Sequence, residues 1–120
     1  MKITQVYFKT DEVSLLDKTW KYSFYGKSVD ERGDKSIQYL SNNSDASVSI
    51  SYNPESFEIS IQGQTTLFEA LDYNINPTVK SILIDLTTLD LIEIIYILKI
   101  AKKNNVNVDC IYCEPDSYKI

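Results

Sequence analysis

The chain has 120 residues, 43% hydrophobic and 24% charged, an ordinary make-up for a globular domain with its own core. Its formal net charge of −5 argues against a nucleic-acid-binding face, which needs clustered Lys and Arg, while leaving a basic protein partner open. It contains no histidine, which excludes imidazole zinc sites, His-based triads and His general bases.

In chain order, Ile3 to Lys9 has strand composition. Asp11 to Asp17 fits a short helix or an irregular strand equally. Trp20 to Gly26 alternates aromatic and polar residues, as a strand does. After the polar loop Lys27 to Gly33, the stretch Asp34 to Asn42 reads as a short helix carrying Ile37, Tyr39 and Leu40. Val48, Ile50 and Tyr52 alternate with serines, and Phe57, Ile59 and Ile61 alternate with polar residues across an Asn53–Ser56 turn. An antiparallel hairpin over about 47–62 follows. Thr65 to Tyr73 places Leu67, Phe68 and Leu71 at helical spacing.

The last forty residues organise the rest. Ser81 to Leu86 is a near-continuous apolar run of strand length, as expected for a parallel strand covered on both faces. Thr87 offers a hydroxyl N-cap with Asp90 three residues later, opening a helix to Asn105. From Leu91 to Ala101 that helix is apolar nearly all round, so it is either buried or packed on a partner through Leu91, Ile94, Ile95 and Leu98. Its apolar run is well short of the roughly 20 residues of a membrane span. Val106 to Cys113 is a second buried strand. The sum is an α/β domain, expected over 1–120. It has a mixed, mostly parallel sheet of five or six strands with helices packed on it, either alone or as a piece of a larger assembly. No apolar h-region follows Met1, which gives a cytoplasmic expectation with no membrane partner.

Cys110-Ile-Tyr-Cys113 matches C-x-x-C, but inside a strand the two thiols point to opposite faces about 10 Å apart, beyond disulfide reach. Gly26-Lys27-Ser28 matches only the end of a phosphate loop, because Lys21 stands where the motif needs glycine. In open α/β sheets ligands gather beyond the carboxyl ends of the parallel strands. Lys27, Ser28, Asp30, Glu31 and Arg32 follow one such strand, Asp85, Thr87 and Thr88 the next, and Glu114, Asp116 and Tyr118 the last. Asp85 lies in an apolar strand and needs a partner, Arg32 or Lys27, or a raised pKa. Asp30, Asp85 and Glu114 form a conceivable hard-metal set. Helix caps, a structural ion pair and solvated loops explain the same residues.

Two stretches carry a resemblance: Val29-Asp-Glu-Arg-Gly-Asp-Lys-Ser-Ile-Gln-Tyr-Leu40, and Ile84-Asp-Leu-Thr-Thr88 with Ile111-Tyr-Cys-Glu-Pro-Asp-Ser-Tyr118. Together they resemble the Rossmann-like modules of bacterial proteins, several of them linked to anti-phage defence. The resemblance implies that Asp30, Glu31, Arg32 and Asp85 lie near one another. The Ile-Asp-Leu-Thr strand end before an apolar helix is also similar to the STAS-like anti-sigma-factor antagonists, without their phosphorylatable serine. The expected function is a non-catalytic interaction or accessory module that binds a protein partner or itself, with no cofactor, catalytic residue or metal ligand assigned. Two alternatives stand beside it: a nucleotide or metal-phosphate enzyme or sensor acting at the strand ends, and a small acidic inhibitor of a basic toxin.

Overall fold

Ile82, Leu83 and Ile84 are fully buried because the strand that carries them, β6 (Ser81–Asp85), lies inside a seven-stranded sheet. The structure is a computed structural model and describes residues 1–9 and 18–114. The readings made for Asp11 to Asp17, Asp116 and Tyr118 therefore lie outside the described residues. The remaining elements are β1 (Ile3–Lys9), β2 (Trp20–Tyr25), α1 (Glu31–Asn43), β3 (Ser44–Asn53), β4 (Glu58–Ile61), β5 (Gln64–Thr66), a 3₁₀ helix (Phe68–Tyr73), α2 (Leu91–Lys103) and β7 (Asn107–Glu114). The strand order is β1-β7-β6-β2-β3-β4-β5. The first five in that order are mutually parallel, and β4 and β5 extend the sheet antiparallel. No described helix is long and apolar enough to cross a membrane.

From β2 the chain passes through α1 to β3 on one side, and from β6 through α2 to β7 on the other. Right-handed crossovers running in opposite directions put the two helices on opposite faces of the sheet. The core divides accordingly. Phe24, Ile82, Ile84 and Val108 pack with Ile97 and Ala101 of α2. Leu83, Ile111 and Cys113 pack with Leu40 of α1 and with Trp20. Successive residues of β6 and β7 alternate between these two clusters, which is the period of a strand covered on both faces.

Both helices start where side chains satisfy their first amides. The Asp30 carboxylate accepts from the N–H groups of Arg32 and Gly33, so α1 begins three residues before the expected Asp34. At α2 the N-cap is Asp90, with Glu93 at N3, and not Thr87. Thr87 is unavailable as a cap because its hydroxyl accepts from the Cys113 N–H and the Ser36 hydroxyl. Glu93 is buried and joins two elements. One oxygen accepts from the Asp90 N–H and the other from the Tyr52 N–H, both at 2.8 Å. Tyr52 lies past Ser49, the last β3 residue paired to β2, so Glu93 stands in for a missing strand partner.

The β3–β4 hairpin forms as expected, with Asn53 paired to Glu58. The third antiparallel strand, β5, was not foreseen. Its turn is Gln62-Gly63, with φ of 53° and 80°, two consecutive left-handed residues as in a type I′ hairpin. Gln62 is held there by its own side chain, which accepts from Ser49 and donates to the Ser47 carbonyl. Phe57, at the tip of the first hairpin, has a φ of 59°. A left-handed backbone costs an L side chain on the order of 1 kcal/mol.

Replacing Glu93 by Ala orphans two backbone donors and is expected to cost about 2–4 kcal/mol in urea unfolding, while Glu93→Gln, which keeps one acceptor oxygen and sets its NH2 against the other amide, recovers only part of that loss. An alanine variant as stable as the wild type would contradict the role given to Glu93.

Candidate functional site

Beyond the carboxyl ends of β2 and β6 the chain leaves in opposite directions, the place where open α/β sheets form a crevice. Here Asp85, Thr87 and Thr88 come together as expected, but their polar atoms face one another. Asp85 is fully buried at the end of β6. Its Oδ1 accepts from the Thr87 N–H at 3.0 Å and its Oδ2 from the Thr88 hydroxyl at 2.7 Å. The Thr88 Oγ1 in turn accepts from the Gly26 N–H at 2.9 Å. Thr87 ties the same loop to β7 and α1 through Cys113 and Ser36. Gly26 is packed so tightly that a Cβ there would lie 2.2 Å from the Thr88 carbonyl oxygen. Glycine is required for that approach, not for a phosphate cradle.

The expected cationic partners of Asp85 are engaged elsewhere or exposed. Arg32 forks onto the Asp30 carboxylate, with Nη2 at 3.0 Å and Nε at 3.2 Å. The pairing with Arg32 and the amide of Gly33 holds the Asp30 carboxyl below its ordinary range. Lys27 and Glu31 are exposed, and Glu114 is half-buried at the end of β7. Burial pushes the Asp85 carboxyl above its ordinary value, and the hydrogen bonds from Thr88 and Thr87 partly oppose that rise. Among the described residues no three Asp, Glu or Cys side chains converge on a metal-sized site, and Asp30, Asp85 and Glu114 do not form one. The two cysteines lie in different core clusters on opposite sheet faces and form no disulfide. Desolvation, with Asp109 adding to it, pushes the Cys110 thiol up to about 11, far from a reactive thiolate.

The surface of α2 is different. Glu93, Ile97, Ile100 and Ala101 face inward, and Ile94 and Leu98 also pack against the core. Of the four residues expected at an interface, Leu91 and Ile95 are exposed, Leu91 at 70%. Two further exposed apolar residues, Ile92 and Tyr96, complete the outer strip. The signal for them was in the sequence. Lys99, Lys102 and Lys103 mark the outer face at the helix end, and steps of three or four residues backward reach 95, 96, 91 and 92. Phe68 stacks flat on Tyr96 at 3.8 Å between ring centroids, and Tyr52 lies 6.3 Å from Phe68. The groove beside this stack, lined by Phe68, Glu69, Tyr96, Lys99, Ile100 and Lys103, holds about 210 Å³. That is below the roughly 300 Å³ at which drug-sized ligand pockets begin.

The raised pKa of Asp85 has a definite sign. The folded protein holds that proton more tightly than the unfolded chain, so the contribution of Asp85 is full below the ordinary carboxylate value and is lost as pH rises through its raised value. On acidification from neutral pH, the wild type is expected to gain stability relative to Asp85→Asn, measured by paired urea titrations. A wild type that loses ground to the variant over that window would show that the carboxylate charge stabilises the fold.

No protein-family model, curated protein or solved structure matches the chain.

Proposed function

We propose that the chain is a non-catalytic protein-interaction module, an accessory part of a bacterial system of the defence-linked kind that its Rossmann-like stretches resemble, and that it docks through the outer face of α2. The observation that carries this reading is the strip of Leu91, Ile92, Ile95 and Tyr96, exposed on a helix whose other side closes the core. An aromatic and aliphatic strip on a rigid helix is the composition of an interface centre. The polar groups at the strand ends lend support by their engagement. Asp85, Thr87, Thr88, Asp30 and Arg32 all direct hydrogen bonds within the fold.

A photoreactive phenylalanine analogue at position 92, in the chain expressed in its own cells, is expected to cross-link to one discrete protein, a second copy included. The same analogue at Gln38, on the exposed side of α1, is expected not to. Identical products from the two positions, or none from 92, would contradict the reading.

A further inference from the structure

Resting on the interaction reading of α2, we infer that the docking surface continues onto the tip of the β3–β4 hairpin. Phe57 is its anchor, and its occupant is a cationic amphipathic segment of another protein. The strip on α2 has four side chains, well short of the roughly 20 residues per side of a standard interface, so a docking surface centred there must extend. The hairpin tip is where it extends. Tyr52, one residue before the end of the β3 pairing, is bonded to Glu93 in the first turn of α2. Thr66 pairs with Ile59, so exposed Leu67 leaves the sheet at the hairpin-tip end, one residue before the Phe68 ring that stacks on Tyr96.

Phe57 itself is 80% exposed and left-handed. Gly and Asn adopt that conformation at least cost, and a bulky aromatic there is an outlier. An exposed aromatic ring with only two side-chain torsions offers a large contact area at low entropy cost, which is what a binding anchor needs. The charges around it select the partner. Glu55 and Glu58 on the hairpin, Glu69 after Phe68 and Asp90 at the head of α2 are all exposed, whereas the lysines of α2 lie in its last turns, beginning with Lys99 over the Tyr96 ring at the far end of the strip. Carboxylates rimming an apolar surface attract Lys and Arg beside apolar residues, and they repel nucleic acid and anionic lipid.

The test uses the full chain with two synthetic amphipathic helical peptides, one of Leu and Lys and one of Leu and Glu, followed by fluorescence anisotropy, with light scattering in parallel. The Leu–Lys peptide is expected to bind at least about ten-fold tighter than the Leu–Glu peptide, and Phe57→Gly to weaken that binding by about ten-fold. Phe57→Gly is expected to melt at or above the wild-type temperature, since glycine relieves the backbone. No binding of the Leu–Lys peptide, equal binding of both peptides, or a Phe57-dependent dimer would overturn the cationic partner. Unchanged binding in Phe57→Gly alongside lost binding in Ile92→Glu would overturn the anchor and leave the α2 reading standing. Unchanged binding in both variants would remove both.

Discussion

Asp85 is a carboxylate buried at the end of a central strand with no cation paired to it among the described residues, and the architecture around it depends on how it is satisfied. An isolated buried charge is far too costly to persist, so such a group needs donors from every side or a proton. The donors come from Thr87 and Thr88, two and three residues farther along the chain. Thr87 and Thr88 then pass their own hydroxyls on to Cys113, Ser36 and Gly26. One short loop thereby ties together β2, β6, β7 and α1. It does so at the point where β2 and β6 release the chain toward opposite faces, the point at which the sheet would otherwise open into a crevice.

Away from that hydrogen-bonded junction, the two helices differ in a way that the fold does not require. α1 turns Glu31, Asp34, Lys35, Gln38, Ser41 and Asn42 outward, as a helix bounded by water does. α2 turns Leu91, Ile92, Ile95 and Tyr96 outward, although its core contacts are already met by Ile97, Ile100 and Ala101. Apolar side chains scattered singly on a surface are normal, but a strip of them on one helix is a feature to explain. The strained Phe57 at the neighbouring hairpin tip is a second unforced cost in the same region. Both observations support the docking surface proposed for α2 and the β3–β4 hairpin.

What the sequence made legible were the features set by local pattern. The apolar run at 82–84 and the mostly apolar stretch at 106–113 mark strands covered on both faces, and the serine alternation marks the first hairpin. Features set by distant partners were not legible. Thr87 has the composition of a helix cap, but residues 51 and 26 positions away take its hydroxyl, so the cap falls to Asp90. Asp85 pointed to a cationic partner or a raised pKa; two threonines bond it and burial raises its pKa. The helical phase of α2 is blurred in its first turns, where the one charged residue, Glu93, points inward, so Ile94 and Leu98 stood in for Ile92 and Tyr96 and only the lysines at the helix end reveal the outer face. The turn before β5 is Gln-Gly rather than Asn-Gly, and its geometry rests on contacts from Gln62 to β3. No composition rule foretells a left-handed phenylalanine.

The most direct measurement of the central claim is native-state hydrogen exchange at the amides of Gly26 and Cys113, each of which donates to a threonine hydroxyl of the Asp85 loop. If that loop seals the junction, both amides exchange only when the whole protein unfolds, with the same opening free energy as the amides of Leu83 and Ile84. Exchange at Gly26 and Cys113 through a local opening, while the β6 amides stay protected, would mean that the junction is an openable crevice. The strand ends, rather than α2, would then become the place to look for a ligand.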